Sequence, residues 1–511
     1  MTLVNINKFY GGKSDDIRQP LENVFSYASH FDIWSNPYRA TPFVSMVAAD
    51  ATAGSNIRNF IYGDIGTNIY ALGVNSASAN FMRIFSGNYA SASSLATATN
   101  GTFSAQQKDS NDECFKVRIA YGDYLWGICG TGMTKVWKYG TLSGSPTLNE
   151  AVATISPTAG TTYTRATNAI IGSDNNVYFI LSNPSTPNVD VIKIDINGSV
   201  TVAPLALPDD EIPTCIATFG SYLAIGTVKP TDTLPGSSSR IYFWDYVSSD
   251  VTDKIKPTEG SIVAMGEVNG RLITVSKLIR TGFGSAVGTN TVVGIVNNRE
   301  TETLKTIYGV TPSTSRVQVY AGNLYFAGTH NSDYAQTGIY AVGRPSAQYD
   351  WGVTMEYQAV ANGVTSNPSA VTGFYIVDDY MWLSHSTDNV TKSYNGGTYS
   401  NTSIIETQIN PKMALTDRHK TKKLNAFRIN YVPINGGTIA VKYKIEGGSY
   451  TTIFSHTTAT GESSFESTVD ANGSLFNSAR EYQFKIESTG GVEPTGYDYD
   501  YDLLTSDQLY E

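Results

Sequence analysis

The residue types that do chemistry are sparse in this chain, and few stand at a useful spacing. Gly12-Lys13-Ser14 resembles the end of a phosphate-binding loop, but the first glycine of that motif would fall on Asn7, and no apolar strand and helix flank it. Gly282, Gly284 and Gly288 miss the dinucleotide spacing by one residue and lie among strand-like segments. Asp498, Asp500 and Asp502 alternate with Tyr497, Tyr499 and Tyr501. A calcium loop would need glycine where Leu503 stands and glutamate where Leu509 stands. Alternation instead puts the carboxylates on one face of a strand and the tyrosines on the other, as in a half-buried edge strand whose charges discourage pairing.

Other acids and bases fit catalysis no better. Asp209-Asp210-Glu211 and Asp378-Asp379 read as solvated turn acids, and no repeated Asp-box accompanies them. His30, His330, His385, His419 and His456 show no metal-ligand spacing. No Gly-x-Ser-x-Gly elbow occurs. Cys114, Cys129 and Cys215 are too few and scattered for a disulfide framework or a zinc site, and read as buried small hydrophobes. The expectation is therefore no catalytic residues, no cofactor and no metal.

A turn residue followed by large residues and a short apolar run recurs at Asn68-Ile69-Tyr70, Asp123-Tyr124-Leu125, Asn176-Val177-Tyr178, Ser221-Tyr222-Leu223, Gly270-Arg271-Leu272, Asn323-Leu324-Tyr325 and Asp379-Tyr380-Met381. The spacings are 55, 53, 45, 49, 53 and 56 residues. A strand-bearing unit with a period near 50 that cannot bury both faces alone predicts a β-propeller. Seven copies predict about seven blades, with six or eight left open by the loose registry. Composition agrees: of 511 residues, 41% are hydrophobic and only 16% charged, with 46 Gly and 33 Tyr, and apolar stripes at helical spacing are nearly absent.

The expected organisation is an arm over residues 1–50, a propeller over 51–410 and a β-sandwich over 411–511. The arm lacks the repeat and is rich in aromatics, among them Phe9, Tyr10, Phe31 and Trp34. Exposed rings of that kind are costly, so they are expected to pack on the ring or on another subunit. The only concentrated basic run, Arg418 to Lys423, reads as a linker or, through Lys420, Lys422 and Lys423, as a contact for an acidic neighbour. The last segment alternates cleanly at Phe427, Ile429 and Tyr431, at Ile439, Val441, Tyr443 and Ile445, and at Tyr482, Phe484 and Ile486. That is the pattern of strands with one buried face.

A net charge of −10 argues against a free nucleic-acid-binding domain, while a wall past which DNA slides stays compatible with it. The first residues show no secretory pattern and no 18-residue apolar run exists, so no membrane span is expected.

Phe9-Tyr10-Gly11-Gly12, Asp15-Asp16-Ile17-Arg18, Phe31-Asp32-Ile33-Trp34, Lys422-Lys423-Leu424 and the run Phe484 to Gly491 together resemble virion proteins from the tail modules of tailed bacteriophages. The tail-nozzle and DNA-stabilisation proteins of short-tailed phages are similar in architecture. The resemblance covers both ends of the chain and little of its middle. It implies a non-enzymatic tail subunit, made in the host cytoplasm and located in the virion. Its partners would be copies of itself in a ring, neighbouring tail proteins and passing genomic DNA. Two alternatives stand beside it. A carbohydrate- or receptor-binding propeller would expose Trp or Tyr at equivalent positions of several blades. A glycan hydrolase would place two carboxylates about 5–10 Å apart in one pocket.

Overall fold

The computed structural model describes residues 2–6, 25–29, 31–33, 39–43, 47–48, 57–75, 82–91, 96–97, 117–130, 132–140, 147–157, 162–183, 188–207, 211–229, 239–256, 259–281, 287–297, 300–330, 336–344, 351–358, 371–378, 380–385, 390–394, 397, 399, 402–411 and 415–504. Apart from one 3-10 turn at Leu415–Asp417, the regular structure among these residues is all strand. The chain forms two compact units: residues 1–45, 339–361 and 395–511 make the first, and residues 46–338 and 362–394 the second.

The chain opens with four strands of the first unit: β1 (Thr2–Ile6), β2 (Phe25–Ser29), β3 (Phe31–Asp32) and β4 (Thr41–Pro42). The second unit then begins with β5 (Val47–Ala48) and continues as a series of small antiparallel sheets. They are β6 (Ile57–Ile65), β7 (Asn68–Asn75), β8 (Met82–Asn88) and β9 (Ala96–Thr97); then β10 (Arg118–Tyr121), β11 (Tyr124–Cys129), β12 (Lys135–Gly140) and β13 (Thr147–Thr154). Next come β14 (Arg165–Ala166), β15 (Ile170–Ile171), β16 (Val177–Ser182), β17 (Asn188–Ile194) and β18 (Val200–Ala206). They are followed by β19 (Ile212–Phe219), β20 (Tyr222–Val228), β21 (Arg240–Trp244) and β22 (Asp253–Ile255), and by β23 (Ser261–Val268), β24 (Arg271–Thr281), β25 (Val287–Asn297) and β26 (Glu300–Ile307). A hairpin of β27 (Val310–Tyr320) and β28 (Asn323–His330) precedes β29 (Gly338–Gly343) and β30 (Gly352–Gln358), which lead through the first unit. The last sheet of the second unit is β31 (Val371–Val377), β32 (Tyr380–His385) and β33 (Val390–Tyr394), completed by β5.

Each recurring sequence pattern falls at the start of the second strand of one sheet, on β7, β11, β16, β20, β24, β28 or β32. The residue before it makes a tight turn, often with positive φ, as at Gly122, Asn175, Gly220 and Asp378. Innermost strands of neighbouring sheets pack together, β6 on β10, β15 on β19, β19 on β23, β23 on β27 and β27 on β31, while the second and third sheets share a core of Trp126, Ile128, Val177 and Phe179. β31 in turn packs on β6, which closes the series into the ring of a β-propeller.

Period-2 alternation explains the core. On β20, Leu223 and Ile225 face the preceding sheet, packing with Tyr178, Ile180 and Val191. Ala224 faces the following sheet with Ile262, Met265 and Leu272. Both faces of such a strand are buried by neighbours, so its sequence reads as a nearly continuous apolar run. Gly127 shows how tight the fit is: a Cβ there would lie 2.5 Å from the Trp137 ring.

In the first unit the chain continues with β34 (Ser403–Thr407), β35 (Lys422–Val432), β36 (Thr438–Ile445), β37 (Thr451–Thr457), β38 (Ser464–Ser467), β39 (Tyr482–Thr489) and β40 (Glu493–Leu503). One sheet runs β1-β40-β35-β38, and β2-β34-β39-β36-β37 are neighbours in another. Both supply apolar residues to one core, with Val4, Phe427, Tyr497 and Tyr499 from the first and Ile405, Val441 and Phe484 from the second. The tyrosines of the Tyr-Asp alternation are buried as expected. Their strand is not an edge, however: β1 pairs along it from Thr2↔Tyr501 to Ile6↔Tyr497.

A candidate axial binding site

The innermost strand of each propeller sheet has one free edge, whose N–H and C=O groups need partners. Two side-chain amides meet that need in the same way. Asn168 Nδ2 donates to Ile216 O at 3.0 Å, and Ile216 N donates back to Asn168 Oδ1 at 2.9 Å. Gln318 Nε2 donates to Ile376 O at 2.7 Å, and Ile376 N donates to Gln318 Oε1 at 2.9 Å. Each amide thus clips its strand to the innermost strand of the next sheet.

A second set of ties runs around the turns that end these strands. Tyr121 Oη donates to Asn175 O at 2.5 Å, and Gly220 N donates to Glu267 Oε2 at 2.8 Å. Tyr375 Oη donates to Asp64 Oδ1 at 2.6 Å and Tyr89 Oη to Asp378 Oδ2 at 2.7 Å, which bridges the last sheet to the first. Tyr320 Oη donates to Asp378 O. Burial pushes the Tyr121 hydroxyl above its ordinary range, with the charges of Asp195 and Asp174 adding to the shift, so it stays a protonated donor.

Within this frame lies a cavity of about 260 Å³. Its wall draws on β10 (Arg118, Ile119), the Asn168–Ile170 segment, β19 (Ile216 to Thr218), β23 (Met265 to Glu267) and β27 (Val317, Val319). Innermost strands of five successive sheets contribute, so the cavity lies on the ring axis. Val319 is 45% exposed and marks where the cavity meets solvent. Arg118 is buried on one side. Glu267, three sheets further round the ring, has one oxygen fixed by the Gly220 amide. The cavity therefore offers a carboxylate, a hydroxyl and apolar groups to a small solute.

The residues expected to contact partners lie elsewhere. Phe9, Tyr10 and Trp34 fall outside the described residues. Phe31 is fully buried in the core of the first unit. Lys420 reaches Asp417 at 3.2 Å, and Lys423 stands opposite Asp502 in the β35–β40 ladder. Lys422 is turned inward, correcting its reading as a surface contact: the side chain is buried, and Nζ donates to Arg480 O at 2.6 Å, Lys420 O at 2.9 Å and Arg418 O at 3.2 Å. Burial lowers its pKa to about 8. Glu211 is no solvated turn acid: it is buried, 2.8 Å from Arg240 Nη1, and accepts from Thr227 Oγ1 at 2.6 Å. Asp209 and Asp210 lie outside the described residues. Cys129 and Cys215 are buried, as read from their scatter, and Cys114 lies outside the described residues.

Arg118, Asn168, Thr218 and Glu267 were not singled out by sequence. Each precedes a repeated turn by a few residues, so extending the repeat upstream, onto the innermost strands, would have aligned them. Of the marks expected for sugar recognition, Tyr222 is exposed at the start of β20, whereas Trp126, Trp137, Trp244 and Trp382 are buried. Among the described residues lining the cavity, the carboxylate is that of Glu267.

No family model and no curated protein matches the chain. Among solved structures it is similar to an exo-β-1,3-galactanase from Phanerochaete chrysosporium with galactose, at 9% identity and TM-score 0.32, covering 90% of this chain and 100% of that one. It is also similar to a Trypanosoma rangeli sialidase, at 10% identity and TM-score 0.34, covering 91% and 96%. A computationally designed protein, Ika8, matches at 8% identity and TM-score 0.38, covering 69% and 100%. These scores describe a loose overlay, and the fold assignment rests on the strand order above. The expectation of a non-enzymatic phage-tail subunit is corrected by these matches: two of these three are glycan-processing enzymes by name, and none is a tail protein. Among the described residues, no helix is long and apolar enough to cross a membrane.

Proposed function

We propose that the second unit is a seven-bladed, glycan-directed β-propeller whose axial cavity holds a single sugar ring. The blade count follows the sheets led by β6, β10, β14, β19, β23, β27 and β31, the last completed by β5. In the first unit, the two sheets around a shared core are read as a β-sandwich.

The axial cavity carries the functional reading. A sugar ring presents hydroxyls at its rim and C–H groups on its faces. Thr218 and the fixed carboxylate of Glu267 suit the hydroxyls, and Ile119, Ile170 and Val317 suit the faces. Asn168 is committed to Ile216 and shapes the wall.

A glycan array, followed by calorimetry on the sugars that bind, tests this. Glu267→Gln and Glu267→Ala are each expected to weaken binding at least about tenfold, the scale of one lost charge-assisted hydrogen bond. The same sugars, incubated and assayed for new reducing ends, show whether binding leads to hydrolysis. Absence of binding to any glycan, or binding that ignores both substitutions, would sink the proposal.

A further inference from the structure

We infer that Asn269–Gly270, at the tip of the β23–β24 hairpin, is a site of spontaneous modification that converts Asn269 to aspartate and isoaspartate. In the reaction the Gly270 backbone nitrogen, having lost its proton, attacks the side-chain carbonyl carbon of Asn269. A C–N bond forms, the side-chain amide leaves as ammonia, and a five-membered imide results. Water then opens either imide carbonyl. Water is the only co-reactant, and no oxidant or cofactor is needed.

Asn-Gly pairs favour this reaction because glycine does not hinder the attack, but the structure separates them. In three described pairs the glycine N–H is already committed: Gly198 N donates to Asp195 O at 2.9 Å, Gly473 N to Asp470 O at 2.9 Å and Gly436 N to Thr458 O at 3.1 Å. A donated N–H is harder to deprotonate and holds its nitrogen in place. The first two sit in the same local design, Asp-x-Asn-Gly-Ser, whose aspartate also accepts from the Asn and Ser backbone amides. Gly270 is different. It is the second residue of a two-residue turn closing on Val268↔Arg271, where its N–H points away from the ladder. Both turn residues are exposed, with positive φ of 50° at Asn269 and 72° at Gly270, and nothing lies within 4 Å of a Cβ placed at Gly270. The Asn269 amide has room to swing onto the nitrogen.

The product matters locally. Aspartate adds a charge two residues from Glu267. Isoaspartate lengthens the backbone inside a turn that has no slack, so the Val268↔Arg271 pair must open.

The test is peptide mapping by mass spectrometry of the intact, folded protein aged at neutral and mildly alkaline pH, with a parallel sample aged in urea. In the folded protein, Asn269 should convert ahead of Asn197, Asn435 and Asn472, and faster at the higher pH. In urea the four should converge. If Asn269 keeps its amide while any of the other three converts as fast or faster in the folded protein, the inference fails. A ranking in urea identical to that in the folded state would also overturn it, since sequence rather than structure would then set the rates.

Discussion

Lys422 is the residue whose environment says most about its energetics. A buried ammonium is tolerated because three backbone carbonyls surround it. Its pKa of about 8 lies below the ordinary 10.5, with desolvation the dominant cause and Asp417 and Glu481 opposing it. Between these values the unfolded chain keeps a proton that the folded chain has released, so stability rises with pH through that window. The buried phenols of Tyr482, Tyr497 and Tyr499, held above their ordinary range chiefly by burial, reverse the trend above about pH 10. Urea unfolding of the native protein should therefore show increasing stability from about pH 8 to pH 10, and Lys422→Met should abolish that rise. At neutral pH the substitution should cost about 1–2 kcal/mol, because the carbonyls lose their donor. A flat profile in the native protein would disprove the assignment. Glu211 and Arg240 make a second case. Arg240→Leu leaves a buried carboxylate uncompensated and should cost about 3 kcal/mol, whereas Arg240→Leu with Glu211→Leu should restore much of the loss. A double variant no more stable than the single one would count against the pairing.

At the scale of elements, the amide clips are the parts that a generic sheet does not supply. Gln318→Leu keeps most of the side-chain volume but strands the N–H and C=O of Ile376 at a sheet edge. The expected cost is about 2 kcal/mol in thermal or urea unfolding, with Asn168→Leu similar at Ile216. A change below about 0.5 kcal/mol would mean that water replaces the clip. These contacts also mark how far sequence reading reached. The hairpin turns were legible because Gly, Asn and Asp recur before large residues at a regular interval, and strand alternation was legible at Phe427, Ile429 and Tyr431. Asn168 and Gln318 were not, because one glutamine or asparagine in a strand looks the same whether it faces water or clips a neighbour 48 or 58 residues away. Lys422 misled for a related reason: a run of cations does not reveal which one the backbone will wrap. The Tyr-Asp strand was rightly placed face by face but wrongly at an edge, since pairing with β1 depends on residues nearly 500 positions away.

At the scale of the whole molecule, both units use the beginning of the chain to finish a sheet. β5 adds to β33 through Thr391↔Ala48 and Lys392↔Val47, and β1 covers one side of β40. A chain lacking residues 1–48 would expose the edges of β33 and β40, and bare edges template association. Its expected behaviour is a lower unfolding temperature and concentration-dependent aggregation, read by calorimetry and size-exclusion chromatography. A monomer of native stability would show that neither strand is needed.

The pairing of β1 with β40 also has a consequence in time. Residues 2–6 leave the ribosome long before their partners at 497–501 have been made. At roughly 5–20 residues per second, about 25–100 s pass in which Val4 and Ile6 have no native strand beside them. The β5 segment waits almost as long for Thr391 and Lys392. The intervening sheets are local meanders and can form as they emerge, so synthesis runs ahead of closure, and both units stay open rings or half-covered sheets until the last hundred or so residues arrive. The nascent chain thus spends most of its synthesis as a set of finished parts whose first piece is fitted last.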